Sequence, residues 1–145
     1  MYRISIFLIV LTMAACGQDA ESCEAPETQT VATTEDGSSE LALMMRDMFT
    51  DSWKTRQAIL KGKSVSLDAE TLARIHSAEA TQPEKVASPV FASMADSYLA
   101  SVKALNAATD SSSQAEVYSR MVQQCEVCHQ QFCPGPLAKI KKLRF

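Results

Sequence analysis

Cys125, Cys128 and His129 stand in the order Cys-x-x-Cys-His, at the start of CEVCHQQFCPGP, residues 125–136. On a helix the two cysteines are one turn apart and project the same way. His129 follows Cys125 by four, so its ring leaves from that side too. Four chemistries use such a set. The thiols can cycle as a redox dithiol, or lock as a structural disulfide. With the imidazole they can grip zinc. They can also add across two vinyl groups on one edge of a porphyrin while the imidazole reaches the iron.

The rivals fit poorly. A thioredoxin-like dithiol wants a strand before the motif and a βαβ context, and the residues before Cys125 supply neither. Zinc wants four ligands in a tetrahedron. Cys125, Cys128, His129 and Cys133 fall within nine residues and cannot surround an ion from one helix. A Cys125–Cys128 disulfide is disfavoured inside a helix. Cys-x-x-Cys-His is the attachment pattern of c-type haem. The sequence therefore predicts one covalent haem, bonded to Cys125 and Cys128, with His129 as the proximal iron ligand.

The elements that must position this motif are helical. Apolar residues recur at three and four, and no period-two run bounded by hairpin turns is present. A first helix is predicted over 39–61, with the stripe Leu41, Met45, Met48, Ser52, Thr55, Ile59 and a C-terminal cap at Gly62. A second, with the weakest stripe, is predicted over 66–81 and closed by Pro83. The third starts at Ser88-Pro89 and faces inward with Phe91, Met94, Ala95, Tyr98, Val102 and Leu105. The fourth is predicted from Ser113, with Glu116 completing a capping box, and its face runs Tyr118, Met121, Val122, Cys125, Cys128, Phe132. Short connections imply antiparallel neighbours. The predicted fold is all-α, an up-down-up-down four-helix bundle with haem on the fourth helix.

The amino-terminal part reads differently. Residues 1–15 have the form of a lipoprotein-type export signal: Arg3, the apolar run SIFLIVLTMA, then Ala14-Ala15 before Cys16. Its apolar run is too short to span a bilayer. Cys16 is the predicted lipidation site, which would hold the chain on a membrane without a spanning helix. Residues 16–38 read as a disordered acidic tether. Between 17 and 40 lie seven acidic residues and no Lys or Arg. Such composition buries too little surface to order itself, and about twenty coil residues reach about 25 Å. The predicted location is the periplasmic side of a bacterial membrane, consistent with haem attachment outside the cytoplasm.

Residues 39–145 form the predicted cytochrome domain. From 41 to 145 there are 13 Lys and Arg against 10 Asp and Glu. No continuous basic stripe with interleaved aromatics points to nucleic acid. The final KIKKLRF is read as a solvated helix end rather than a contact for lipid or an acidic partner.

A haem motif ending the fourth helix resembles the cytochrome c′ family and its Met-ligated low-spin relatives. The likeness is carried by CEVCHQQF at 125–132, by MMRDM at 44–48 with ILKGK at 59–63, and by three helices preceding the haem helix. It covers residues 39–133. The resemblance implies a distal iron ligand on the first helix at Met45, with Met44 and Met48 as alternatives. A thioether there favours electron transfer. An open site would instead make a gas-binding, five-coordinate protein. The resemblance also implies a possible homodimer. One departure stands out: the family has Arg or Lys four residues after the histidine, and this chain has Cys133.

Other chemistry-bearing residues are read more plainly. His76 is placed on the surface, beside the polar run 77–82. Cys23 and Cys133 are spare thiols that an oxidising compartment could pair. Tyr118, two turns before Cys125, is a candidate for the haem edge. No catalytic constellation is visible, so the expected role is an electron carrier for redox partner proteins rather than an enzyme.

Overall fold

The computed structural model describes residues 37–145. The export signal 1–15, Cys16, Cys23 and nearly all of the tether lie outside the described residues. Every regular element described is helical: α1 (Glu40–Leu60), α2 (Ala69–Ala73), α3 (Pro83–Val86), α4 (Pro89–Ala107), α5 (Ser111–Phe132) and α6 (Leu137–Ile140), with single 3₁₀ turns at Arg74–His76 and Lys141–Leu143. The all-α expectation holds.

Local chemistry explains the ends. The Ser39 hydroxyl caps α1 by accepting from the Ala42 amide. At the other end Gly62 takes φ +65°, so its N–H reaches the Ile59 carbonyl and the Lys63 N–H reaches the Ala58 carbonyl. That is a Schellman closure, which favours glycine because the left-handed position penalises a Cβ. Helix α4 opens with the Ser88 cap and Pro89 in the first turn. Helix α5 begins at Ser111 rather than Ser113, because Asp110 accepts from the Ser113 amide and hydroxyl. Ser113 is thus a donor inside the helix, and the expected Ser113–Glu116 box is not the cap.

Packing centres on α5. It lies along α4, to which residues 108–110 join it, and α1 packs on it from another side. Tyr118 and Met121 are completely buried there, and Val122 nearly so. Each such burial contributes roughly 1.5–3 kcal/mol. Five of the six residues of the predicted α1 stripe are buried, Leu41, Met48, Ser52, Thr55 and Ile59, while Met45 is half-buried.

The second helix departs from expectation. Only 69–76 is helical within 66–81, and Pro83 starts α3 instead of closing α2. Two side-chain amides hold the preceding segment extended. Gln114 Oε1 accepts from the Val65 amide at 3.1 Å, and its Nε2 donates to the Val65, Leu105 and Ala108 carbonyls. Asn106 exchanges two bonds of 2.8 Å with the Leu67 backbone. Beyond the 3₁₀ turn, the chain is diverted to the start of α1. The Glu79 carbonyl takes the Leu41 amide at 2.8 Å, and Glu40 pairs with Arg74. A helix through 77–81 would leave that α1 amide without its acceptor. Gln82, preceding proline, sits at φ −130° and ψ 82°, outside helical space.

The carboxyl end is also corrected. Within KIKKLRF, Ile140 and Leu143 are buried, and Arg144 forms a two-pronged ion pair with the buried Glu126. Tyr118 Oη donates between the Ser52 and Leu143 carbonyls, 3.0 and 3.1 Å away. The segment is strapped down, with its lysines, Arg144 and Phe145 still exposed to water.

Candidate functional site

Helices α1, α4 and α5 leave a cleft where α5 ends. Three neighbouring cavities of about 150, 40 and 40 Å³ occupy it, and Met45 and His129 line all three. The lining is mostly apolar. Phe91 from α4 and Phe132 from α5 meet edge to face at 5.6 Å along the largest cavity. Ile140 and Leu143 of the carboxyl strap close the side toward α1.

One turn of α5 carries the chemistry. Cys125 and Cys128 are free thiols, and both line the second cavity with His129, Met45 and Met48. Burial pushes the Cys125 thiol up to about 12, with the neighbouring Cys128 adding to it. Burial also raises Cys128. Reactive redox cysteines sit where the thiolate is favoured. These two are held as neutral thiols, which weighs against a dithiol exchange site.

His129 is oriented from behind. Its Nδ1 lies 3.0 Å from the Cys133 carbonyl oxygen. A carbonyl only accepts, so Nδ1 carries the hydrogen, and in the neutral ring Nε2 keeps its lone pair. Metal-ligating histidines are commonly fixed this way. The carbonyl is available because Cys133 lies just past the last turn of α5, at φ −153° and ψ 78°, ahead of Pro134.

Across the cleft, Met45 is half-buried and Met48 is buried. Met44 packs against the core but lines none of the three cavities. The structure therefore brings together Cys125, Cys128, His129, Met45 and Met48, and leaves Met44 apart. His76 is on the surface as read, its Nε2 3.0 Å from Asp96. Cys133 is exposed at the rim of the largest cavity.

Tyr118 is a correction. It is fully buried and lines none of these cavities, because its hydroxyl is spent tying α1 to the strap. Tyr98 of α4 lines the cleft instead. This residue lines the second and third cavities, and burial raises its phenol well above the ordinary value. Its position on the inward stripe of α4 was the available signal. Glu126, between the two cysteines, was missed. Its carboxylate is 4% exposed and is neutralised by Arg144.

The donor set suits a covalent porphyrin better than a bare ion. Among the described residues no three His, Cys, Asp or Glu side chains converge to hold a metal. Two thiols, one oriented imidazole, a methionine thioether from the facing helix and a mostly apolar lining are compatible with a porphyrin and its iron. Compared with known protein families, curated proteins and solved structures, the chain matches none.

Proposed function

We propose that the protein is a monohaem c-type cytochrome that passes single electrons outside the cytoplasm, lipid-anchored at Cys16. The observation that carries the reading is the single turn of α5. Cys125, Cys128 and His129 face one apolar cleft, with His129 held by the Cys133 carbonyl and Met45 opposite. The proposed fold is an antiparallel four-helix bundle of the cytochrome c′ type, with its second helix shortened to α2 and the haem on α5.

Bound haem supplies the one-electron chemistry. The residues supply the rest. Cys125 and Cys128 fix the porphyrin edge through thioethers. His129 offers Nε2 to the iron, and the Cys133 carbonyl keeps the proton on Nδ1. Met45 offers a thioether from the opposite wall. Phe91, Phe132 and Tyr98 exclude water, which stabilises the less charged, reduced state and raises the potential.

The test is expression of the whole chain in cells with working haem-attachment machinery. The expected product carries the mass of one haem, and Cys125→Ala with Cys128→Ala abolishes that increment. Carbon monoxide separates electron carrier from gas binder. The reduced carrier binds it slowly or not at all, whereas an open iron binds it at once. A colourless chain of unmodified mass rejects both readings.

A further inference from the structure

The fold assembles a charged surface that is not continuous in the sequence. Residues 53–63 hold Lys54, Arg56, Lys61 and Lys63, and residues 137–145 hold Lys139, Lys141, Lys142 and Arg144, with no acidic residue in either segment. Arg56 joins them. Its guanidinium lies 5.7 Å from the Trp53 ring and 5.6 Å from the Phe145 ring, and its Nε donates to the Arg144 carbonyl at 2.9 Å. Over the remainder of 41–145 the balance reverses, with five basic residues against ten acidic. Two of those acidic residues, Asp51 and Glu126, pair with Lys54 and Arg144, which leaves Arg56, Lys61, Lys63 and lysines 139, 141 and 142 as the excess.

Large apolar residues are exposed in the same place. Trp53 is 42% exposed, Leu60 57% and Phe145 49%. Trp53, Arg56 and Leu60 share one stripe of α1. Lysines 139, 141 and 142 are exposed on the adjoining strap. Exposed aromatic and aliphatic side chains set among Lys and Arg match an anionic bilayer surface, where rings sit at headgroup depth and cations meet phosphate. An acidic protein would be met by the charges alone. The chain before α1 is consistent with this. On the tether reading, about twenty residues of coil before α1 would give a reach of about 25 Å. Trp53 lies 13 residues into α1 from Glu40, about 20 Å along its axis.

We propose that the face formed by Trp53, Arg56, Leu60, Phe145 and lysines 139, 141 and 142 docks on an anionic lipid bilayer. The face holds the domain flat on the membrane instead of leaving it adrift on its tether. Proximity to that bilayer rests on the lipid-anchor reading, whereas the affinity of the face does not.

The test uses the whole chain after the leader, with Cys16→Ser, exported behind a cleavable non-lipoprotein leader. It is pelleted with phosphatidylglycerol-containing vesicles or with pure phosphatidylcholine vesicles, and quantified by protein stain. A chain without haem is therefore scored like one with it, so failure of the cytochrome reading shows separately. The expected result is salt-sensitive pelleting with the anionic vesicles only. Lys141→Glu with Lys142→Glu should lower partitioning about thirtyfold or more, while Lys103→Glu on α4 should change it less than about twofold. Trp53→Ser should weaken it with the charge intact. Circular dichroism confirms that each variant is folded. Pelleting with neither vesicle, equal pelleting with both, equal loss in Lys103→Glu, or retention only by an acidic protein overturns the proposal.

Discussion

The two halves of α5 are built to opposite specifications. From Gln114 to Val122 the inward side chains are buried and their polar atoms bonded, including the four contacts of the Gln114 amide. From Cys125 to Phe132 the same helix presents half-buried thiols, an imidazole and a phenyl ring to open space. Protein interiors normally close such gaps, because unfilled volume forfeits contacts. A helix that packs fully for two turns and then leaves space around two thiols and an imidazole is what the haem reading calls for. The amino-terminal half keeps the fold. The carboxyl-terminal half keeps the space.

Substitutions can break or sharpen that contrast. Tyr118→Ala should cost about 4 kcal/mol in chemical denaturation, as for other large buried aromatics. Phe132→Ala in the cofactor-free chain should cost less than half as much; equal costs would erase the distinction. Gln114→Ala should cost about 1–3 kcal/mol, because the Val65 amide and three carbonyls lose one shared partner. Hydrogen exchange at 63–68 should rise with it. Met45→Leu keeps the volume, so its stability cost should stay below about 1.5 kcal/mol. The spectrum should nevertheless lose the thioether-to-ferric-iron band and gain rapid carbon monoxide binding. An unchanged spectrum would move the ligand to Met48 or leave the iron open.

The smallest effect concerns pH. Hydrogen bonds from the Ser113 hydroxyl and amide hold the Asp110 carboxyl below the ordinary aspartate range. Because the folded value is depressed, this contribution is complete above the unfolded value. It is lost as pH falls through the folded one. Acidification below about pH 4 should therefore loosen the start of α5. Asp110→Asn should flatten that part of the stability profile without altering the cleft.

Much of this was legible because it is local. The stripes of α1 and α4 gave the buried faces, and the spacing of Cys125, Cys128 and His129 gave the candidate site. What stayed hidden depends on partners distant in sequence. Nothing in 63–68 announces that Gln114 and Asn106 will hold it extended. Nor does 77–82 reveal that α1 needs the Glu79 carbonyl. Glu126 looked like a spacer because its counter-ion, Arg144, sits 18 residues away on a strap read as solvated. Tyr118 was assigned to the cofactor because helical periodicity gives direction and not depth.

Connectivity sets an order of assembly. Helices α4 and α5 are joined by residues 108–110 and can zip as a hairpin, whereas α1 must close a loop across 61–88 to reach them. Short closures come first. The thiol-bearing wall would thus stand before the Met45 wall arrives, which on the haem reading would leave the cleft open for attachment while the fold is half formed. Pulse-labelled amides in α4 and α5 should gain protection before those of α1. The reverse order would mean that the cork is seated before the bottle is filled.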